Sequence, residues 1–163
     1  MKKVLFSFLL GSALLNCQSK PITTFSEAAL NDEFITLDEK AVSFGAILDQ
    51  HKGQTIFIDV WASWCKDCRK GLPKVKEIQK DYPEMAYVFL SLDKSVGAWK
   101  KGIQNYNLQG DHYFMQSGWT GAMGTFLDLD WIPRYRSVNP EGGSVVVKAR
   151  KTKDKHLKKQ LKR

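Results

Sequence analysis

The chain has 163 residues, 43% of them hydrophobic, with nine Phe and five Trp. That is enough for one packed domain, leaves little room for a second, and excludes a disordered polymer. The formal net charge of +8 includes Lys2 and Lys3, which lie in a segment expected to be removed.

That segment is "MKKVLFSFLLGSALLNC". A basic start leads into an apolar run from Val4 to Leu15, which reads as a signal peptide over residues 1–16 and is too short to span a bilayer as a helix. "LLNC" followed by "QSK" resembles a bacterial lipobox, in which Cys17 becomes the lipid-bearing first residue. Asn16 departs from that pattern, which prefers a small residue there. Lipidation of Cys17 would leave an even pair from the three cysteines. Residues 17–33 are polar, with one proline, and read as a tether.

The domain is expected over residues 34–163, starting with a short strand at "FITL" (34–37). "VSFGAILDQHKGQ" mixes helical spacing with glycine and turns the chain back toward the core. "TIFIDV" (55–60) is almost wholly apolar, as a central strand covered on both faces would be. "KGLPKVKEIQKDY" then shows helical spacing at Leu72, Val75 and Ile78, and "MAYVFLSL" (85–92) is a second apolar strand. Strand, helix, strand predicts a right-handed parallel βαβ unit. A helix over 96–107 and a short strand over 111–115 follow, and "GWTGAMGTFLDLDW" has no definite form. "RYRSV" (134–138) and "SVVVKA" (144–149), around "NPEGG", predict a hairpin. The tail from Lys151 predicts a helix seamed by Leu157 and Leu161. The fold class is α/β, a mixed central sheet flanked by helices on both faces.

The stretch "WASWCKDCRK" (61–70) places Cys65 and Cys68 where an apolar strand stops and a helix begins. One helical turn apart on one face, the two suit a disulfide. Cys65 is expected in the first, exposed turn, near unpaired N–H groups and the positive end of the helix dipole, which favour the attacking thiolate. Cys68, a turn further in, suits the resolving role. A structural zinc site needs four ligands, and only Cys17 and the scattered His51, His112 and His156 remain. A haem attachment site needs His after the second cysteine, where Arg69 stands. No metal and no cofactor are expected.

The segment "FIDVWASWCKDCRKGLP" resembles the active-site segment of the thioredoxin superfamily, and "SWC" in an exported, lipid-anchored setting is similar to the TlpA/ResA-like branch. The likeness runs from about Phe34 to the C-terminus. It implies a thioredoxin fold, Cys65 as attacking and Cys68 as resolving cysteine, and Trp61 and Trp64 as the motif's tryptophans. Pro73 matches the proline that kinks the active-site helix. Asp59 matches a buried acid that assists proton transfer at the resolving cysteine; burial should raise its pKa. Its alternative is a strand-end Asp that reaches solvent. Pro133 in "WIPRY" matches the family's cis-proline, and Ile132 would offer its backbone to a bound peptide. Lys66 and Asp67 stand between the cysteines where many relatives carry proline before the second, which leaves the direction of electron flow open.

The resemblance implies an extracytoplasmic thiol–disulfide oxidoreductase on the periplasmic face, most simply a reductant of exported cysteine-containing proteins such as apocytochromes. A membrane thiol reductant would have to regenerate it. The alternatives are a disulfide-donating oxidase and a peptide-binding or chaperone module without turnover. Nine Lys or Arg against one Asp from Lys148 to Arg163 read as a solvated face that could touch anionic lipid, and nucleic acid is not expected as a partner. Trp99, Trp119 and Trp131 read as core or rim, with Trp131 near enough to Pro133 to line the groove.

Overall fold

A computed structural model describes residues 24–142, 144–149 and Thr152. The expected signal peptide, Cys17 and the expected tail helix lie outside the described residues. Among those described, no helix is long and apolar enough to cross a membrane.

The elements are α1 (Glu27–Leu30), β1 (Glu33–Ile35), β2 (Ala41–Ser43), α2 (Phe44–Gln50), β3 (Ile56–Trp61), α3 (Lys66–Asp81), β4 (Ala86–Ser91), α4 (Val96–Tyr106), β5 (Asp111–Phe114), α5 (Ala122–Phe126), β6 (Arg134–Val138) and β7 (Ser144–Ala149). Seven strands form one sheet in the order β2-β1-β5-β4-β3-β6-β7. β4 lies parallel to β3 and to β5, and the remaining neighbours are antiparallel. All six residues of β3 and all six of β4 are buried, which requires cover on both faces.

Side-chain contacts show which helix covers which face. Phe57 packs on Tyr87 and Tyr135, Tyr87 donates its hydroxyl hydrogen bond to the Ile78 carbonyl of α3, and the Tyr135 hydroxyl lies against Gly71 of the same helix. Trp99 of α4 packs on Phe114, and Trp61 meets Tyr106 edge to face. Helices α3 and α4 therefore cover one face. On the other, Phe34 packs on Phe44 of α2, and the Arg136 guanidinium lies 5.2 Å over Phe126 of α5.

The strands at 56–61 and 86–91 and the helix at 66–81 sit where the apolar patterns put them, and Pro73 lies inside α3 without ending it. Two short elements were not foreseen. β2 pairs with β1 over three residues, and three residues carry no readable period. α1 falls in the stretch expected as tether: Ser26 caps it, Ala29 is fully buried, and Phe25 packs on Phe44 and Phe126. The packed body thus begins about Phe25, because one aromatic in a polar stretch suffices to dock it. The stretch left without a form contains α5.

Candidate active site

The site grows out of the C-terminal end of β3. Trp61, fully buried, ends the strand; a short turn follows, and α3 starts at Lys66 with Cys65 as its N-cap. Cys65 and Cys68 are joined as a disulfide with Cα atoms 5.3 Å apart. The Cys68 backbone N–H donates to Cys65 Sγ at 3.0 Å. The Cys65 sulfur thus takes the place a capping oxygen usually fills, at the positive end of a 16-residue helix. When the pair is reduced, the same N–H and the dipole favour thiolate at Cys65. The order of shielding is as expected, but the degree is not: Cys65 is 5% exposed and Cys68 1%. The expected exposed first turn is covered by the segment before β6, which a strand-to-helix pattern cannot show.

That segment carries a cis peptide bond between Ile132 and Pro133. The Ile132 carbonyl oxygen lies 3.7 Å from Cys65 Sγ. Arg134, 1% exposed, holds the segment from behind. Its guanidinium donates to the carbonyls of Leu127 at 3.1 Å and Asp128 at 3.2 Å and pairs with Asp130. Three anchors on residues 127–130 fix the run that leads into Pro133.

The turn before Cys65 is held as firmly. Both carboxylate oxygens of Asp93 accept from the Ser63 N–H at 3.1 Å, and the Ser63 hydroxyl donates to Asp93 at 2.6 Å. Ser91 donates to the same carboxylate at 2.9 Å, and the Tyr106 hydroxyl donates to the Ser63 carbonyl at 3.4 Å. Every hydrogen-bonding group of Ser63 is therefore engaged. Gly102 of α4 lets this turn approach: a Cβ there would come 2.5 Å from Ser63 Cβ.

Asp59 is 1% exposed, at the middle of β3, paired across to Tyr135 of β6 and Phe89 of β4. By alternation it shares the face of Phe57 and Trp61, beneath α3 and α4. Its Oδ1 finds no hydrogen-bond partner among the described residues. Burial pushes its carboxyl up to about 8. The solvent-reaching alternative for Asp59 is thereby removed. The Tyr135 hydroxyl is pushed up as well, by burial first and then by the Asp59 charge.

The structure brings Cys65, Cys68, Ile132 and Pro133 into one place, with Trp64 beside them at 49% exposure and Asp59 under the helix. Sequence reasoning missed Asp93, Ser63, Tyr106 and Arg134. An acid just past an apolar strand was the one local hint of Asp93. Its partner lies 30 residues away, so the pairing is tertiary. His112 is buried against Phe89, and His51 lies by Asp111, both apart from the cysteines. No group of three or more His, Cys, Asp or Glu among the described residues could hold a metal ion. A cleft of about 590 Å³ lined by His51, Lys76, Tyr87 and Asp111 sits where β4 and β5 begin, the opposite end of the sheet from the dithiol.

Comparisons with known proteins agree with this geometry. The family described as Thioredoxin-like matches residues 53–142. The thiol–disulfide oxidoreductase ResA of Bacillus thuringiensis subsp. konkukian is 25% identical over 119 residues, 67% of this chain and 69% of ResA. The thioredoxin-like protein YneN of Bacillus subtilis is 32% identical over 65 residues, and the match spans 38% of its length. A Bacteroides vulgatus structure, named as a candidate thiol–disulfide oxidoreductase, superposes with a TM-score of 0.61 at 30% identity, covering 74% of this chain and 76% of that one. A thiol–disulfide oxidoreductase from Bacteroides fragilis shares the fold at TM-score 0.66 and 20% identity over 88% of this chain and 98% of its own. With a family match across more than half its length and a Cys65–Cys68 disulfide at the N-terminus of α3, this chain belongs to the thioredoxin-like family and is ResA-like within the thioredoxin superfamily.

Proposed function

We propose that the protein is an extracytoplasmic thiol–disulfide oxidoreductase that reduces disulfides in exported proteins, anchored to the membrane through lipid on Cys17. The observation that carries the reading is the Cys65–Cys68 disulfide at the N-terminus of α3, with the Ile132 carbonyl 3.7 Å from Cys65 Sγ. ResA and the other relatives named above support the reaction class.

The mechanism uses these atoms. In the reduced protein, Cys65 thiolate attacks one sulfur of a substrate disulfide and expels the other as thiolate, which takes a proton from solvent. This forms a mixed disulfide on Cys65. The substrate lies along the segment at Ile132, whose backbone offers strand-type pairing. Cys68 then loses its proton to the Asp59 carboxylate, which needs an acid of pKa near neutrality, and Asp59 is pushed up to about 8. Cys68 thiolate attacks Cys65 Sγ, the second substrate sulfur leaves as thiolate and takes a proton from solvent, Asp59 gives its proton back to solvent, and the disulfide seen here is regenerated. Two electrons have passed to the substrate. A membrane thiol reductant returns them, since the compartment is oxidising. Apocytochrome cysteines are fitting substrates.

The test is Cys68→Ser in native membranes, with identification of proteins held covalently on Cys65. Exported cysteine proteins trapped on Cys65 are the expected result, and no mixed disulfides would count against the proposal. Reduction of clients requires a potential near the thioredoxin end, about −270 mV; a value near −120 mV would make the protein a disulfide donor instead. A module that binds without turnover would keep its clients in Cys65→Ala.

A further inference from the structure

The mechanism leaves one proton without a route. Asp59 takes it from Cys68 and must return it to solvent, yet Asp59 is 1% exposed. The side chains that α3 buries above it are Cys68, Leu72, Val75 and Ile78, and only Cys68 among these can exchange a proton. On β3 itself, Phe57 and Trp61 share its face. Within the sheet Asp59 pairs across to Phe89 of β4 and to Tyr135 of β6. Phe89 has no polar side-chain atom. Tyr135 is thus the titratable group set directly beside the acid.

Tyr135 bridges the gap between sheet and helix. Its place in the ladder puts its Cβ about 5 Å from that of Asp59, on the same face. Its hydroxyl reaches α3 at Gly71, where a Cβ would stand 2.5 Å from Tyr135 Oη. Glycine inside a helix costs about 1 kcal/mol against alanine, so its place here calls for a packing reason. The hydroxyl is that reason, because an alanine methyl would collide with it. Gly71 is half-buried, so the slot lies close to the surface, and it follows Cys68 by three residues on the same side of the helix. At the other end, the buried Asp59 Oδ1 finds no hydrogen-bond partner among the described residues. The charge of Asp59 acts on the Tyr135 hydroxyl, second to burial, so the two groups are within electrostatic reach.

We propose that the Tyr135 hydroxyl is the relay through which Asp59 exchanges its proton with solvent at the Gly71 slot. This rests on the oxidoreductase reading and completes its proton path. The neutral Asp59 carboxyl gives its proton to Tyr135 Oη, directly or through one water, as the hydroxyl proton passes to solvent at the slot. Asp59 is left as carboxylate, Tyr135 as neutral phenol, and a hydronium ion carries the proton away. No electron moves. Burial holds Tyr135 well above its ordinary value, so it keeps a proton throughout and acts only by handing one on. Tyr135 touches neither reacting sulfur in this scheme; it acts through Asp59.

The test uses the full reduced protein and a symmetrical disulfide of a chromophoric thiol. One thiol is released when Cys65 attacks and the second when Cys68 resolves, so stopped-flow absorbance separates the two steps. Tyr135→Phe removes the hydroxyl and keeps the ring that packs on Phe57. At about pH 6.5, where Asp59 must first lose its proton, the second release should slow about tenfold, less than the hundredfold or so of a direct acid or base, and the first should not change. Above about pH 9 Asp59 is already ionised, and wild type and variant should resolve at the same rate. In Asp59→Asn, adding Tyr135→Phe should change nothing further. An unchanged second release at the lower pH would overturn the proposal. So would slowing that persists at the higher pH or in Asp59→Asn, as a packing defect would produce. No thiol release from wild type at any pH would instead sink the oxidoreductase reading beneath it.

Discussion

Replacing Asp59 by Asn removes one buried acid at nearly constant volume. Burial raises the Asp59 carboxyl from 3.8 to about 8. The folded chain therefore keeps the proton over a range in which the unfolded chain has released it. Stability of the wild type should fall as pH rises from about 4 to about 8 and level off above. Each pH unit crossed is worth about 1.4 kcal/mol, so by pH 7 the loss is at most about 4 kcal/mol, a large share of a domain's usual stability. Asn does not titrate. The stability advantage of Asp59→Asn over wild type should be small at pH 4, grow by a few kcal/mol, and reach a plateau above pH 8. Urea unfolding of both disulfide forms between pH 4 and 9 measures it. A difference that stays flat with pH would show that Asp59 titrates as an ordinary carboxyl and would refute the argument. Catalysis gives a second readout on the same variant. Resolution of the mixed disulfide by Cys68 should slow, and its pH profile should lose the inflection near 8.

The turn before Cys65 offers two further predictions. Asp93→Ala leaves the Ser63 N–H and the Ser91 hydroxyl without their acceptor and should cost about 2–4 kcal/mol in denaturant unfolding. Gly102→Ala drives a Cβ to within 2.5 Å of Ser63 Cβ, whereas a Cβ on Gly97, on the same helix, meets nothing within 4 Å. The first should lose about 1–3 kcal/mol and slow attack by Cys65; the second should gain up to about 1 kcal/mol with activity unchanged. Burial holds His112 below its usual pKa. Its proton uptake on unfolding should erode stability as pH falls from about 6.5, and His112→Phe should flatten that slope in acid unfolding curves.

Much of the framework was legible because β3, α3 and β4 are long and strongly patterned. Six consecutive buried residues in β3 read as a doubly covered strand, and Leu72, Val75 and Ile78 gave α3 its apolar face. The cysteine pair was legible from its spacing at a strand-to-helix junction, and "WIPRY" by resemblance. What stayed hidden depends on distant partners. Arg134 and Arg136 are charged residues in a strand, yet both are 1% exposed. Arg134 is buried by carbonyls and a carboxylate six to seven and four residues earlier, and Arg136 lies over Phe126. The cover over Cys65 likewise comes from Ile132, 67 residues on. Ser63 and Asp93 look like ordinary polar loop residues until β4 is laid beside β3.

The central claim is that Cys65 and Cys68 cycle between disulfide and dithiol, with Cys65 as the attacking sulfur. Its most direct test is a redox titration of the full protein, with alkylation of each cysteine followed separately by mass. One reversible two-electron transition is expected, and in the reduced form fast alkylation at Cys65 at a pH well below the ordinary thiol value of about 8.5, with Cys68 slow. A pair locked in one oxidation state at every accessible potential, or two equally inert thiols, would contradict it.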